Sequence, residues 1–358
     1  MTTEDLVAKL IALAVELQAS DIHFDPRGDQ VLVRLRIHGR LIDIDLISSF
    51  DKLINRQAII RLKVLAKLSL AETRRPQDGH LYIEGDYGGC DLRVATIPTV
   101  HGERVVIRLI PVASSYTTFF SLGMTNIQIS QLQEVTNGVG GMIIVSGRVG
   151  AGKSTTVHAI LAERARLGDS ILTIEDPVER RIQDYQQVEV DERIGLTFAE
   201  GLRAAVRQDP DVLMVGEIRD ELTAQIAVRA GLTGHLLLST MHADHGLQVI
   251  YRLLELGISS DYVRQSLKLV IWQTLLPIVC PDCQGQGCDY CHGIGLSGRR
   301  AEFSFLTSDA IERHVSGYKF KPTAPSVASE LNRKSGGMSV AEPGAHETKY
   351  REFSHRFE

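Results

Sequence analysis

Residues 31–47, VLVRLRIHGRLIDIDLI, alternate between apolar and polar positions. Val31, Val33, Leu35 and Ile37 share one face, and Arg34, Arg36 and His38 share the other. A period of two predicts a strand half buried in an antiparallel sheet, with a turn near Gly39. Leu53 to Leu70 reads as a helix, and RRPQDGH (74–80) is a cluster of turn formers. LYIEG, CDLRVATI and ERVVIRLI (103–110) read as further strands. At the start, the apolar run Leu10 to Val15 lies between Lys9 and Glu16 and predicts an amphipathic helix. Residues 1–110 thus form a small α+β domain with an antiparallel sheet and a line of arginines.

The pattern changes after residues 111–121, PVASSYTTFFS, which read as a linker. Four short apolar runs follow without alternation: MIIVS (142–146), ILTIE (171–175), VLMVGE (212–217) and HLLLST (235–240). Helical stretches separate them. Continuous apolar strands between helices predict a parallel sheet covered on both faces, an α/β domain over residues 122–306. Each run ends in polar groups: Ser146, then Glu175 and Asp176, then Glu217, then Ser239 and Thr240 with His242 beyond. Ligands of such sheets sit at the carboxyl ends of the strands, so these groups are expected to converge on one site. Residues 307–358 are poor in aliphatics and rich in Gly, Pro, Ser and charge, and read as a tail that is mostly disordered or loosely docked.

Composition changes this picture little. The 358 residues suit two or three domains, and 44% hydrophobic with 23% charged residues is ordinary for a globular chain. A net charge of −5 gives no general attraction to nucleic acid or anionic lipid. The N-terminal apolar run is far short of the ~20 residues of a membrane span. Glu4 and Asp5 stand where a secretion signal carries positive charge, so a cytosolic protein is expected.

GRVGAGKS, Gly147 to Ser154, fits the phosphate-binding pattern G-x-x-x-x-G-K-[ST] in its proper setting, with strand MIIVS before it and a helix after it. Gly147, Gly150, Ala151 and Gly152 supply backbone N–H groups that cradle phosphate oxygens, and glycine permits close approach. The pattern assigns Lys153 to the β and γ phosphates and Ser154 to magnesium, with Thr155 near the α phosphate. Hydrolysis also needs carboxylates, one for the metal shell and one to orient water. Glu217 follows an apolar strand in the Walker-B position, and Glu175, Asp176 and Glu179 follow another.

CPDCQGQGCDYCHGIG, Cys280 to Gly295, contains two C-x-x-C pairs four residues apart. Cys280, Cys283, Cys288 and Cys291 can give Zn2+ a closed tetrahedral shell of sulfur, a structural site without an open position. The same residues spell CxxCxGxG twice, half of the four units that a chaperone-type scaffold needs for two zinc sites. The fifth cysteine, Cys90, reads as a half-buried thiol of no special chemistry.

Several segments resemble the type II secretion / type IV pilus assembly ATPase family. IEDPVE (174–179) resembles its Asp box, LRAAVRQDPDVLMVGEIRD (202–220) its Walker-B region and GLTGHLLLSTMHA (231–243) its His box. ASDIHFDP (19–26), RRPQDG (74–79) and LRVATIPTVHGERVVIRLI (92–110) resemble its second N-terminal domain. The resemblance spans roughly residues 15–306. It implies a RecA-like ATPase domain preceded by a smaller, PAS-like α+β domain, assembled as a homo-hexamer. The substrate would be ATP with Mg2+. Glu175 would be the catalytic glutamate and Glu217 the magnesium partner, two roles that are open to exchange. His242 would sense the γ phosphate, His235 would be structural, and Asp176 would lie in the ATP and magnesium site. Arg93 and Arg108 would reach ATP from the small domain, and Arg203, Arg207 and Arg219 match arginines of the large domain.

The resemblance also implies a cytoplasmic location, peripheral to the membrane, and an inner-membrane platform protein as partner, with no direct binding of nucleic acid. Family members that assemble fibres usually carry a further N-terminal domain, whereas eighteen residues precede Ala19 here. The four cysteines set the chain apart from retraction motors, and their short spacing resembles the ATPases of the Gram-positive competence pseudopilus, which serve DNA uptake. Four positions depart from the family pattern. Arg148 stands for a proline, Ala243 and Asp244 follow His242 in place of threonine and asparagine, and Thr274 interrupts the usual Gln-Arg-Leu at Gln273 to Leu275. A RecA-like nucleic-acid motor, a retraction motor and a non-enzymatic zinc scaffold are the competing readings.

Overall fold

The computed structural model describes residues 3–28, 30–44, 56–85, 88–111 and 118–317. The first part is a six-stranded antiparallel sheet in the order β3-β2-β1-β6-β5-β4. Its strands are β1 (Ala19–Arg27), β2 (Gln30–Ile37), β3 (Arg40–Asp43), β4 (Gln77–Gly85), β5 (Gly88–Thr99) and β6 (Gly102–Pro111). Helices α1 (Thr3–Glu16) and α2 (Arg56–Leu65) contribute Leu10, Ile11 and Leu62 to the core under one face. The alternation of β2 is realised as expected: Val31, Val33, Leu35 and Ile37 are buried, and Arg34 and Arg36 line the other face. Each such aliphatic side chain adds about 1.5–3 kcal/mol by leaving water. The turn to β3 is two residues, His38 and Gly39, both with positive φ (49° and 89°). That matches the twist of a tight hairpin.

Two boundaries differ from expectation. The helix ends at Leu65 rather than Leu70, because Lys67 turns into the left-handed region (φ 57°) and the amide of Leu68 caps the carbonyl of Lys63. Residues 53–55 lie outside the described residues. The turn cluster at 74–80 is also shorter than expected, since Gln77 to His80 already belong to β4. Gly79 there faces the end of α2, where a Cβ would meet the Ala66 carbonyl oxygen at 2.6 Å.

The second part is a seven-stranded sheet, β13-β12-β7-β11-β10-β8-β9. The four apolar runs become β7 (Gly141–Ser146), β8 (Ile171–Glu175), β10 (Val212–Val215) and β11 (Leu236–Met241), all parallel. Three strands were not anticipated: β9 (Gln186–Glu189) and the long pair β12 (Leu267–Val279) and β13 (Leu296–Thr307). β12 runs parallel to β7 and antiparallel to β13. Helices α3 (Asn126–Thr136) and α4 (Lys153–Arg166) cover one face around Leu132, Val157 and Ile160. Helices α5 (Phe198–Ala205), α6 (Glu221–Leu232), α7 (Leu247–Glu255), α8 (Ser260–Ser266) and α9 (Ser308–Gly317) supply the core on the other.

Helix α9 corrects the reading of residues 307–358 as a tail. Residues 308–317 are helical, and Ile311 and Val315 are buried in the large-domain core. An apolar pair at i and i+4 makes one helical face, enough to dock a short helix that a composition average hides. Residues 318–358 lie outside the described residues. So do residues 112–117 of the expected linker, whose other side includes Phe119, packed against the core near α3.

Candidate nucleotide-binding site

Strands β7, β11, β10 and β8 lie side by side and parallel, so Ser146, Met241, Val215 and Glu175 end at the same edge of the sheet. Two of the expected polar ends act on the backbone. Ser239 Oγ donates to the carbonyl of Val215 and Thr240 Oγ1 to that of Gly216, each at 2.8 Å. These bonds anchor the chain that carries Glu217.

The loop Gly147–Ser154 leaves β7 and enters α4. Gly150 (φ 75°) and Gly152 (φ 85°) adopt left-handed conformations, and Gly152 caps α4 without a side-chain bond. The first amides of α4 therefore have no capping side chain, the arrangement that suits an anion. Lys153 is 8% exposed and bends back over the loop. Its Nζ donates to the carbonyls of Gly147 and Arg148, both at 3.1 Å, and lies 3.3 Å from His242 Nδ1. An ammonium only donates, so Nδ1 of His242 accepts and its proton resides on Nε2. Burial, then the Lys153 charge, holds the His242 imidazole below the usual histidine range, against the pull of Glu217. Burial likewise lowers Lys153, with Glu217 opposing.

Glu217 lies beyond the end of β10 and pairs with Arg219. Glu175, 4% exposed, is held more firmly. Its Oε1 accepts from Thr173 Oγ1 (2.7 Å) and Gln187 Nε2 (2.9 Å). Its Oε2 lies 3.9 Å from His158 Nε2. His158 Nδ1 is in turn 2.6 Å from Tyr185 Oη, and the two rings stack. Burial pushes the Tyr185 hydroxyl far up and His158 down. Asp176 is exposed, in an acidic hollow with Glu189, Asp191 and Glu192.

The expected arginines are not all gathered. Arg93 lines a cleft of about 1300 Å3 together with Thr155, His158 and Glu179, and its Nη2 lies 3.5 Å from the Val178 carbonyl. Arg108 is engaged by Asp21 at 3.2 Å, beside Arg36, Arg34 and Arg104 in an ion-pair ladder with Asp21 and Asp25. Arg203 pairs with Glu200 on α5, and Arg207 donates to the Arg203 carbonyl, on the face of the sheet opposite α4. Sequence reasoning missed Thr173, Gln187, His158, Tyr185 and the P-loop contacts of Gln273. The signals for Gln273 are an amide in the apolar run LKLVIWQTLLPIV and its place at the start of the segment that resembles the family's Gln-Arg-Leu.

The family described as Type II/IV secretion system protein matches residues 1–341. The chain belongs to that family. It is 36% identical to the type II secretion system protein HxcR of Pseudomonas aeruginosa over 348 residues, 95% of this chain and 73% of that protein. It is 35% identical to the type II secretion system ATPase E of Vibrio cholerae over 384 aligned positions, 96% and 75% of the two chains. Among solved structures, the pilus retraction motor PilT with bound ADP superposes with TM-score 0.63 at 25% identity, covering 86% of this chain and 85% of that one. The DotB ATPase of Yersinia pseudotuberculosis shares the fold, with TM-score 0.65 at 20% identity over 93% and 86% of the chains. With its P-loop and strand-end carboxylates, this secretion-family chain is an ATP hydrolase.

Two of its departures from the secretion ATPase pattern meet in space. Arg148 Nε donates to Asp244 Oδ1 at 2.8 Å, joining the P-loop to the His box. The pair is mostly exposed, so it adds only about 0–1 kcal/mol. The four cysteines close the β12–β13 hairpin. Their ligand atoms all lie within 4.8 Å of one another, and three of the six sulfur–sulfur distances are 3.6–3.8 Å. A zinc tetrahedron with bonds of about 2.3 Å has edges of about 3.8 Å, so the thiols fit Zn2+. Backbone amides of Gly287 and Gly295 donate to Cys283 and Cys291 at 3.1 and 3.2 Å, as thiolates require. At Cys291 burial acts against ionisation, but the amides of Cys288 and Gly295, with the Cys283 and Cys288 thiols, outweigh it and bring the thiol down to about 6.

Acid should weaken the fold through its histidines. His23, His38, His158 and His242 all sit below their ordinary value, each chiefly through burial. Below about pH 6.5 the unfolded chain takes up protons that the native histidines refuse, so stability rises with pH through that interval. Urea midpoints measured from pH 5 to 7 should increase steadily, and His158→Gln should flatten the slope. A midpoint independent of pH over that range would remove the assignment.

Proposed function

We propose that the chain powers assembly of a pilus-like fibre by hydrolysing ATP. It works as a homo-hexameric ring at the cytoplasmic face of the membrane, against an inner-membrane platform protein. The observation that carries this reading is the meeting of Lys153, Glu217 and His242 over the P-loop, in a chain that matches the secretion family over residues 1–341. No helix among the described residues is long and apolar enough to cross a membrane, so attachment would run through the partner. The short cysteine spacing supports a competence pseudopilus and DNA uptake, while the curated relatives are type II secretion proteins. The likeness to PilT favours retraction as the second reading. The tetracysteine hairpin supports assembly instead.

In the proposed reaction Lys153 exchanges the Gly147 and Arg148 carbonyls for β and γ phosphate oxygens. Gly150, Ala151, Gly152 and Thr155 line the phosphates. Ser154, Glu217 and Asp176 would hold Mg2+, which would neutralise phosphate charge. Glu175 Oε1 is occupied by two donors, which leaves Oε2 to orient water and take its proton. Water oxygen bonds the γ phosphorus, the bond to the β–γ bridging oxygen breaks, and ADP leaves. Neutral His242 offers Nε2–H to the γ phosphate. Arg93, in the cleft with Thr155, and Arg219, beside Glu217, stabilise the charge, whereas Arg108, Arg203 and Arg207 would reach a nucleotide only from a neighbouring subunit of the ring. Cys280, Cys283, Cys288 and Cys291 would hold a structural Zn2+.

Phosphate release from MgATP tests the reading. Glu175→Gln should lower kcat by about 10²–10⁴-fold while ADP still binds. Single-stranded DNA should leave the rate unchanged, and stimulation by DNA would point to a nucleic-acid motor instead.

A further inference from the structure

β12 pairs with β7 as far as Trp272 opposite Ser146. The next residue, Gln273, lies beside the P-loop at the point where β7 has ended. It is 2% exposed, and both ends of its amide are used. Nε2 donates to the Ala151 carbonyl at 2.5 Å, and Oε1 accepts from the fully buried Thr156 Oγ1 at 2.7 Å. A carbonyl only accepts, so the Ala151 contact fixes which end of the amide is nitrogen. The main chain is close as well. A Cβ on Gly147 would meet the Gln273 carbonyl oxygen at 2.3 Å, and one on Gly152 would meet Nε2 at 3.0 Å. One residue, distant in sequence, thus lies against the loop at its start through its main chain and holds its crest and the first turn of α4 through its side chain.

The bond to Ala151 has a directional consequence. In a planar trans peptide the carbonyl of one residue and the N–H of the next point to opposite sides. Gln273 draws the Ala151 carbonyl towards β12, so the Gly152 N–H is turned the other way, away from β12. Gly152 has no Cβ and sits in the left-handed region, so its own conformation does not fix that plane. Thr156 holds the far end of the amide, which keeps Gln273 from following the loop if it relaxes.

We propose that Gln273 is a positioning residue of the phosphate cradle, setting the 151–152 peptide so that the Gly152 N–H faces the phosphates. This rests on the reading of Gly147–Ser154 as the nucleotide site. Gln273 itself touches no phosphate. Its effect is on the affinity of the loop, and it should appear in Kd and KM before kcat.

The test is ADP binding by calorimetry to the full chain, alongside its melting temperature. Gln273→Leu keeps the bulk and removes both bonds, and is expected to raise the ADP Kd by about 10–100-fold, roughly tenfold per bond. Thr156→Val removes only the outer bond and should raise it about three- to tenfold. In the double variant the two effects should fall short of additive, since Gln273→Leu already removes the bond that Thr156→Val would break. KM for ATP should rise in parallel, with a smaller change in kcat. A purely structural role would lower the melting temperature of Gln273→Leu and leave its Kd unchanged, which overturns the proposal. If Gln273→Leu does not fold, a wild-type Kd in Thr156→Val overturns it. Failure of the unsubstituted chain to bind ADP would sink the nucleotide reading and this inference together. Loss of binding in Lys153→Ala with an unchanged Kd in Gln273→Leu sinks only the role of Gln273.

Discussion

Lys153→Ala is expected to lower ATP turnover by about 10²–10³-fold or more, the scale of deleting one charged contact to a transferring phosphoryl group. Lys153 Nζ already rests on two P-loop carbonyls and on His242. Alanine removes the charge that would pass from those carbonyls to the β and γ phosphates. It also frees the His242 imidazole, so its pKa should rise, because the Lys153 charge is among the groups that depress it. The fold should survive. The neighbouring core residues Val157 and Ile160 are untouched, and the loop is exposed from Arg148 to Gly150, so water can reach the released Arg148 carbonyl. Circular dichroism should therefore match the unsubstituted chain while phosphate release falls to background. Turnover at the normal rate would remove Gly147–Ser154 as the active site.

The second large effect is on metal. Cys283→Ser should reduce zinc from one per chain to nearly none, measured by metal analysis after dialysis. Three thiolates and a hydroxyl bind zinc far more weakly than four thiolates, and structural zinc contributes about 10–16 kcal/mol at such sites. The hairpin tip depends on that energy, because it has little core of its own. Pro277, Ile278 and Val279 are all exposed, the last two at 40% and 54%. Gly287 and Gly295 adopt positive φ with their amides on sulfur, and Gly293 with its amide on the Cys288 carbonyl, a loop with high entropy when released. Hydrogen exchange should therefore rise over residues 277–298. ADP affinity should change little, since Gln273 lies seven residues from Cys280, about 23 Å along an extended strand. Full retention of zinc in the serine variant would sink the four-sulfur site.

Much of the fold is legible from period alone. The alternation at Val31 to Ile37 and the continuous runs at 142–146 and 171–175 predicted one antiparallel and one parallel sheet, and both are present. The hairpin β12–β13 escaped because its two halves have different neighbours. Leu267 to Ile271 are mostly buried beside β7, whereas the end of the strand pairs only with β13 and is partly solvated. A strand with two environments shows neither a clean alternation nor a clean run. Helix α9 escaped because its ten residues carry just one apolar pair, Ile311 and Val315, at the edge of a polar stretch.

The amino-acid sequence by itself determined the P-loop and the cysteine knuckle. In both, one contiguous segment supplies the chemistry and the glycines that bend it, so local chain geometry suffices. Tertiary structure alone decided how that chemistry is held. Gln273 is 122 residues from Ala151, Asp244 is 96 from Arg148, and Tyr185 is 27 from His158. It also decided that Arg108 is engaged by Asp21 and that Arg203 and Arg207 lie on α5 and just beyond it. Such pairs depend on the strand order β12-β7-β11-β10-β8 and on which helices cover each face. Hydrophobic periodicity records whether a strand is buried, but not which strand lies beside it, and that neighbour is what places Gln273 against the phosphate loop.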